Sequence, residues 1–188
     1  MKRIAIFASG GGSNARKIIE HFEENSEIDV ALIVTNKRNA GVLNHAREFD
    51  IPILIIDRNF FYNSEEILQI LKNEQIDLIV LAGFLWLIPS YLIQNYLDKI
   101  INIHPSLLPK YGGKGMYGIN VHKAVKENHE NESGITIHFV NENFDEGNHI
   151  FQASINLDEN DSPEEIAKKV LTLEHKHFPL VIEKLLCE

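Results

Sequence analysis

Two polar side chains interrupt an apolar segment in the middle of the chain, Asn102 and His104. Residues 100–103 form a short run in which all residues but one are apolar and β-branched, which predicts the end of a buried strand. Residues two apart on a strand share a face, and Pro105 stops the strand because it cannot donate to a sheet ladder. An amide N–H can stabilise an oxyanion, and a histidine exchanges protons near neutral pH. The pair therefore indicates a reactive strand end; the alternative is that both side chains satisfy nearby backbone groups.

A second candidate site follows the predicted strand at residues 3–8. Residues 9–14 read Ser-Gly-Gly-Gly-Ser-Asn and lead into a stretch with helical periodicity. A glycine turn between strand and helix lets the backbone approach an anion, and N–H groups at the helix start point at it. We therefore predict that Gly12, Ser13 and Asn14 hold one phosphate monoester, which is compatible with Ser13 as the helix N-cap.

Known nucleotide-binding motifs fit this turn poorly. The spacing Gly10-x-Gly12-x-x-Ala15 matches only a loose dinucleotide fingerprint. The next predicted strand ends in Thr35-Asn36, where a ribose-binding Asp or Glu would be expected. The Gly-Lys-Ser/Thr of a P-loop is also missing after the glycines.

Two carboxylates are candidates for the same site. Asp145 lies in the connection between two segments of alternating polarity, residues 134–140 and 150–157, which predict antiparallel strands. Glu174 falls in the apolar stripe of a predicted C-terminal helix. A carboxylate there is costly unless it meets a donor or a ligand. We interpret Glu174 as an acceptor for a polar substrate; the alternative is a partly exposed side chain at the margin of the stripe.

The elements that position these residues alternate between strand and helix through the first half of the chain. Apolar strand segments are predicted at residues 3–8, 30–34, 51–56, 76–82 and 100–103. This predicts an α/β fold with a mostly parallel twisted sheet flanked by helices and an antiparallel portion in the C-terminal third. The glycine turn and the Asn102–His104 strand end then lie at the same sheet edge, where ligands bind. Residues 1–188 are expected to form a single domain.

Composition narrows the classes of function. The 188 residues are 44% hydrophobic and 24% charged, enough to bury a sizeable core. The net charge of −9, without a block of Lys and Arg, argues against nucleic acid as a partner. The single cysteine, Cys187, rules out an internal disulfide and leaves a zinc site without thiolates. Without a signal-like segment or an apolar run of about 18 residues, we expect a cytoplasmic protein with no membrane partner.

Taken together, these motifs resemble the phosphoribosylglycinamide formyltransferase family. The resemblance covers nearly the whole chain, and its motifs are Asn102-Ile-His-Pro-Ser-Leu-Leu-Pro109, Gly12-Ser-Asn14, Leu81-Ala-Gly-Phe84, His138-Phe-Val140, Asp145-x-Gly147 and Glu174-His175. It implies a Rossmann-like formyltransferase fold. It also implies that the formyl group of 10-formyltetrahydrofolate is transferred to the amine of glycinamide ribonucleotide in purine (IMP) biosynthesis, by a monomer or homodimer.

The resemblance assigns roles to individual residues. Those matching the catalytic trio are Asn102, His104 and Asp145. Those matching the substrate-binding positions are Gly12, Ser13 and Asn14 for the phosphate and Glu174 for the ribose. Those matching the folate contacts are Leu85, Trp86, Leu87, Ile88, Asn102, Asn141 and Glu142. Trp86 stands where many relatives carry Arg, and the Leu108-Pro109 bond is often cis in the family.

The chemistry implied is direct attack of the substrate amine on the formyl carbon. Asn102 and protonated His104 would stabilise the oxyanion of the tetrahedral intermediate. Asp145 would hold the imidazole and help a proton reach the leaving folate nitrogen, and no metal is needed. The glycine-rich residues 112–118 are expected to be mobile, as a lid or as an ordinary surface loop.

Three other functions compete with this one. Water as the acceptor would make a formyltetrahydrofolate deformylase, and a charged tRNA would make a methionyl-tRNA formyltransferase. Both of those relatives carry extra domains, and the acidic net charge weighs against tRNA. A phosphate-ligand binding module would need the glycine turn but not Asn102, His104 and Asp145 together.

Overall fold

The strands of the chain form one mixed sheet. A computed structural model describes residues 1–187. Its strands are β1 (Lys2–Phe7), β2 (Ile28–Thr35), β3 (Ile53–Ile55), β4 (Leu78–Leu81), β5 (Ile100–His104), β6 (Glu132–Phe139) and β7 (His149–Asn156), in the order β3-β2-β1-β4-β5-β6-β7. The first five strands run parallel, and β6 and β7 pair antiparallel. The predicted fold class is therefore confirmed.

Helices connect the parallel strands and end the chain. They are α1 (Ser13–Phe22), α2 (Val42–Glu48), α3 (Arg58–Asn63), α4 (Glu66–Asn73), α5 (Ser90–Asn95), α6 (Ile119–Glu127) and α7 (Pro163–Cys187). Sequence periodicity did not predict α3, which is short and begins where the Asp57 side chain accepts the Phe60 N–H at 2.9 Å. In the part of the chain described, none of these helices is both long and apolar enough to cross a bilayer.

Both faces of the sheet are covered, which explains the continuous apolar character of β1. Ile4 and Ile6 of β1 pack with one cluster, which includes Ile18 of α1 and residues of α7. Ala5 and Phe7 point to the opposite cluster, which includes residues of α3, α4 and α5. A parallel strand buried on both sides reads as an apolar run rather than as an alternation.

The loops that follow β1, β2 and β4 contact one another at the carboxyl edge of the sheet. The Ser9 N–H donates to the Gly83 carbonyl at 3.0 Å. The Leu85 N–H donates to Ser9 Oγ at 3.0 Å, and the Val42 N–H donates to the Gly10 carbonyl at 3.2 Å. These bonds fix the glycine turn against its neighbours. The Leu108-Pro109 peptide bond is cis, as the resemblance implied.

Candidate active site

The glycine turn presents an unobstructed backbone to solvent. Apart from the adjoining residues of the chain, no heavy atom of the described residues lies within 4 Å of the points where Gly10 or Gly11 would carry a Cβ. Gly12 has φ +80 and occupies the N-cap position of α1, where a Cβ would meet Val42 at 2.7 Å. The prediction of Ser13 as the N-cap is therefore wrong; only glycine fits the position, because of both conformation and space. In the described chain no side chain caps α1, so its first N–H groups are available to an anion.

Asn14 joins this turn to the last helix. Its Nδ2 donates to Glu174 Oε2 at 2.6 Å. Glu174 is 8% exposed in the apolar stripe of α7. Burial raises the pKa of Glu174, and the hydrogen bond from Asn14 and the charge of His104 only partly oppose this. The predicted burial of the Glu174 carboxyl group is confirmed, and Asn14 is a hydrogen-bond donor to it.

We expect Glu174→Gln to stabilise the protein at alkaline pH. A carboxyl group whose pKa is raised on folding contributes stability at low pH and loses it as the pH rises through the folded pKa. Glutamine imitates the protonated form and still accepts from Asn14. Thermal unfolding should show a gain of about 2–4 °C near pH 8 and none near pH 4. Glu164→Gln, at an exposed position of the same helix, serves as the control, and an equal gain at both pH values would contradict this account.

His104 and Asp145 lie against each other at the end of β5. His104 Nδ1 is 3.4 Å from Asp145 Oδ2, and the two side chains are 4% and 11% exposed. The other ring nitrogen, Nε2, is 2.8 Å from the backbone carbonyl of Tyr111. Both nitrogens therefore face oxygen acceptors, and the protonated ring is the form that donates to both. Nδ1 makes the weaker of the two contacts, because its distance of 3.4 Å to Asp145 exceeds the usual hydrogen-bond distance.

Asn102 lies in the same cluster, opposite a second histidine. Asn102 of β5 is in register with His138 of β6, and its Nδ2 lies 3.1 Å from His138 Nε2 and 3.5 Å from Asp145 Oδ1. His138 Nδ1 is 2.8 Å from the Phe139 carbonyl. Because a carbonyl only accepts, Nδ1 carries a proton, and Nε2 lies between the Asn102 amide and Asp145 Oδ1, 3.7 Å away. The three residues of the predicted catalytic trio are thus brought together.

The environment of Asp145 keeps its carboxylate ionised. Burial raises the pKa of Asp145, but contacts with His104 and His138, the charge of His104 and the N–H of Gly113 together hold it well below its usual range. The Gly113 N–H donates to Asp145 Oδ2 at 2.9 Å. A stable negative charge therefore lies beside the His104 imidazole. Within residues 1–187, His, Cys, Asp and Glu side chains form no group of three or more arranged to hold a metal.

Three contacts to this cluster were not predicted from the sequence. His138 stands in a motif on which the resemblance rests, but it was given no role. Its period-two position in β6 was a usable signal, whereas its register against Asn102 follows only from strand pairing. Tyr111 and Gly113 act through backbone atoms, for which residue type is no guide.

The predicted folate segment lies after β4 and beside the glycine turn. The Leu85 side chain is 41% exposed, whereas that of Ile88 is buried in the core. The Leu87 carbonyl accepts from the Tyr62 hydroxyl at 3.0 Å. Trp86 packs among aromatic rings, with the Arg58 guanidinium 5.3 Å from its ring centroid. A cation from α3 therefore lies beside Trp86 in the predicted folate segment.

Asn141 and Glu142 begin the loop that carries Asp145. Asn141 Oδ1 accepts the Asn143 N–H at 3.0 Å, and Glu142 is exposed. Over the described residues 1–187, neither side chain makes a hydrogen bond to the cluster of His104 and Asp145. Their assignment to a folate site stays a prediction.

Comparison with known proteins identifies the family to which this chain is similar. Residues 2–182 match the family described as formyl transferase. The chain is 46% identical to the chloroplastic phosphoribosylglycinamide formyltransferase of Arabidopsis thaliana, covering 96% of this chain and 64% of that protein. It is 40% identical to the phosphoribosylglycinamide formyltransferase of Bacillus subtilis, covering 99% of this chain and 95% of that one.

Solved structures give the same result. The phosphoribosylglycinamide formyltransferase of Anaplasma phagocytophilum superposes with a TM-score of 0.91 at 29% identity, covering 100% of this chain and 87% of that chain. The present chain spans less than two thirds of the length of the Arabidopsis relative, at 64%, but nearly all of the Bacillus subtilis relative, at 95%. On these matches, the chain belongs to the phosphoribosylglycinamide formyltransferase family.

Proposed function

We propose that this chain transfers the formyl group of 10-formyltetrahydrofolate to the amine of glycinamide ribonucleotide, a step of purine biosynthesis. The observation that carries the proposal is the convergence of Asn102, His104 and Asp145 beside an open glycine turn. The charge of His104 acts on the Glu174 carboxyl group, which is bonded to Asn14 at the start of α1. An acid–base cluster and a candidate anion site therefore lie near each other at the carboxyl edge of the sheet.

The ribonucleotide is held at both of its polar ends. The phosphate binds the N–H groups of Gly12, Ser13 and Asn14, where the positive end of the α1 dipole also favours an anion. Glu174 accepts from a ribose hydroxyl, which provides the buried carboxyl group with a second donor beside Asn14. These contacts leave the substrate amine free to face the cluster.

The reaction is a direct acyl transfer. The substrate amine attacks the formyl carbon, and the carbonyl oxygen becomes an oxyanion in a tetrahedral intermediate. His104 donates to that oxygen from Nδ1, and Asn102 donates through the amide hydrogen that reaches Asp145 only at 3.5 Å. The attacking nitrogen loses a proton, and the departing folate nitrogen gains one as the old carbon–nitrogen bond breaks. Asp145 assists this proton transfer.

Neither a covalent enzyme intermediate nor a metal is required by this chemistry. Ser106 Oγ lies next to the cluster in sequence but donates to the Lys110 carbonyl at 2.7 Å, so it has no base to activate it. Donors for the oxyanion are already supplied by Asn102 and His104. The folate is placed against the backbone of Leu85, Trp86, Leu87 and Ile88, with Asn102, Asn141 and Glu142 as further contacts.

Turnover with defined acceptors tests the proposal. Purified protein is mixed with 10-formyltetrahydrofolate, and the absorbance change of the folate is followed with and without glycinamide ribonucleotide. Turnover that requires the ribonucleotide supports the proposal. Turnover without it would indicate a deformylase, turnover that requires charged tRNA would indicate a tRNA formyltransferase, and no turnover with any acceptor would leave a binding module.

A negative charge in the glycine turn should weaken ribonucleotide binding. Ser13→Asp places a carboxylate beside the phosphate, and like charges in a partly enclosed site repel each other. We expect the KM for the ribonucleotide to rise at least about tenfold, which corresponds to about 1.4 kcal/mol. The KM for the folate and kcat should change little, because neither depends on the phosphate contact.

The control for this variant is Ser90→Asp. Ser90 opens α5 as Ser13 opens α1, so the same substitution is tested at another helix start. If Ser13→Asp left the KM for the ribonucleotide unchanged, the phosphate would have to bind elsewhere.

A further inference from the structure

The connection between β5 and α6 contacts both members of the His–Asp pair through its backbone. The Tyr111 carbonyl accepts from His104 Nε2 at 2.8 Å. Two residues later, the Gly113 N–H donates to Asp145 Oδ2 at 2.9 Å. The relative placement of the imidazole and the carboxylate therefore depends on the backbone conformation of residues 111–113.

Tyr111 has an unusual backbone conformation. Its φ is +58, in the left-handed region that bulky residues rarely adopt. Such a conformation persists only where surrounding contacts hold it, and it recurs at functional sites. The contact that holds Tyr111 must therefore be found outside its own backbone.

The Tyr111 side chain supplies this contact. Its hydroxyl donates to Glu130 Oε1 at 2.8 Å, and Glu130 lies in the connection between α6 and β6. A cavity of about 270 Å³ is lined by Tyr111, Glu130, Val125 and Ser133, among others. Tyr111 borders this cavity and also packs against the core cluster that includes Ile4 and Ile6, but apolar packing of this kind has no preferred direction. The hydrogen bond from the Tyr111 hydroxyl to the Glu130 carboxylate is therefore the directional contact that holds Tyr111 in place.

We propose that the Tyr111–Glu130 hydrogen bond is a tether that positions His104. It holds the Tyr111 carbonyl against Nε2, which orients the ring so that Nδ1 faces Asp145 and the reacting carbonyl. In this role Tyr111 is a positioning residue, because it acts on the reaction through His104. This role rests on the proposed formyl transfer, in which His104 acts from Nδ1.

The tether remains intact over the working pH range. Burial, followed by the hydrogen bond to Glu130, raises the pKa of Tyr111 to about 12, so the hydroxyl keeps its proton. Hydrogen bonds from Lys110 and Tyr111 lower the pKa of Glu130, so the acceptor keeps its charge. A hydrogen bond to an ionised acceptor is stronger than one between neutral groups.

Tyr111→Phe removes the hydroxyl and leaves the ring. We expect kcat to fall about tenfold, because a catalytic group displaced by a fraction of an ångström loses much of its effect. The KM values of both substrates should stay within about twofold, because the binding groups are untouched. Glu130→Gln keeps an acceptor for the hydroxyl and should recover part of the loss seen in Glu130→Ala. The double variant Tyr111→Phe/Glu130→Ala should be no slower than either single variant, because both remove the same bond.

Two control variants separate the tether from general effects. Lys110→Met removes the exposed ion pair to the same Glu130 oxygen, 2.8 Å long, and keeps the tether; kcat should be unchanged, because exposed pairs contribute little. Tyr91→Phe removes another tyrosine hydroxyl bond, 2.8 Å to the Phe61 carbonyl, and should also leave kcat unchanged. Equal losses of kcat in Tyr91→Phe and Tyr111→Phe would overturn the proposal.

A spectroscopic measurement tests the tether without turnover. In protein labelled with ¹⁵N-histidine, the Nε2–H signal of His104 should be protected from exchange in the wild type and lost in Tyr111→Phe. Persistence of that signal, with wild-type kcat, would contradict the tether. If the wild type showed no formyl transfer, the proposed function would fail, and the presence or loss of this signal would still decide the tether.

Discussion

His104→Ala should lower kcat about a thousandfold while the protein stays folded, which is within the range for loss of a general acid. In the proposed mechanism His104 Nδ1 donates to the oxyanion, and neither the Tyr111 carbonyl nor the Asp145 carboxylate can donate in its place. The KM for the ribonucleotide should change little, because the phosphate and ribose contacts lie on α1 and α7. Steady-state kinetics with circular dichroism and thermal unfolding would measure both parts of this expectation.

His122 provides the control for His104. It is also a buried histidine, and burial together with the charge of His104 lowers the pKa of His122 to about 4. It is therefore neutral at physiological pH and cannot serve as the cationic donor. We expect His122→Gln to lose less than about threefold in kcat. Near-normal turnover of His104→Ala would remove His104 from the mechanism.

The second large effect is expected for Asp145→Asn. Asparagine has the same shape, tolerates the φ of +58 found at Asp145, and still offers an oxygen to the Gly113 N–H. The substitution therefore removes the charge and keeps the geometry. We expect kcat to fall about a hundredfold, because His104 loses the carboxylate that orients it and the proton transfer loses the group that assists it. A change of less than about twofold would exclude Asp145 from the chemistry.

We also expect Asp145→Asn to change the thermal stability of the protein in a pH-dependent way. The pKa of Asp145 is held below its usual range in the folded protein. Such a group contributes stability above the unfolded pKa of about 3.9 and loses that contribution as the pH falls towards the folded pKa. The melting temperature of Asp145→Asn should therefore lie below that of the wild type near pH 7. The gap should shrink as the pH is lowered below about 4, and a gap that is constant with pH would contradict this explanation.

The losses of kcat in His104→Ala and Asp145→Asn should not multiply when the two substitutions are combined. If His104 and Asp145 act as a unit, the double variant His104→Ala/Asp145→Asn should be about as slow as His104→Ala alone. Multiplied losses would mean that each residue acts on a separate step.

Much of the fold could be predicted because its strongest signals are local. The apolar runs of β1 and β4 indicate strands that are buried on both faces. Alternation of polarity with period two correctly predicted β6 and β7. The N-cap of α1 could not be predicted in this way. Gly12 takes that position because its Cα approaches Val42, a contact that depends on how α2 packs.

In the candidate site, too, some residues could be predicted from the sequence and others could not. Asn102 and His104 could be paired from their spacing on a strand, and the buried position of Glu174 followed from helical periodicity. Asp145 could be named as a candidate from its place between β6 and β7, but its contact with His104 depends on how that connection folds back onto the strand end. His138, Tyr111 and Gly113 depend on strand register and on backbone atoms, which residue type does not encode.

The bond between Asn14 and Glu174 joins residues separated by 160 positions in the chain. During synthesis, the segment that carries Asn14 leaves the ribosome long before the segment that carries Glu174. Contacts of such long sequence separation form late in folding. A ligand that needs both residues can bind only after α7 has docked, so it stabilises the completed chain and none of the partly folded states that precede it.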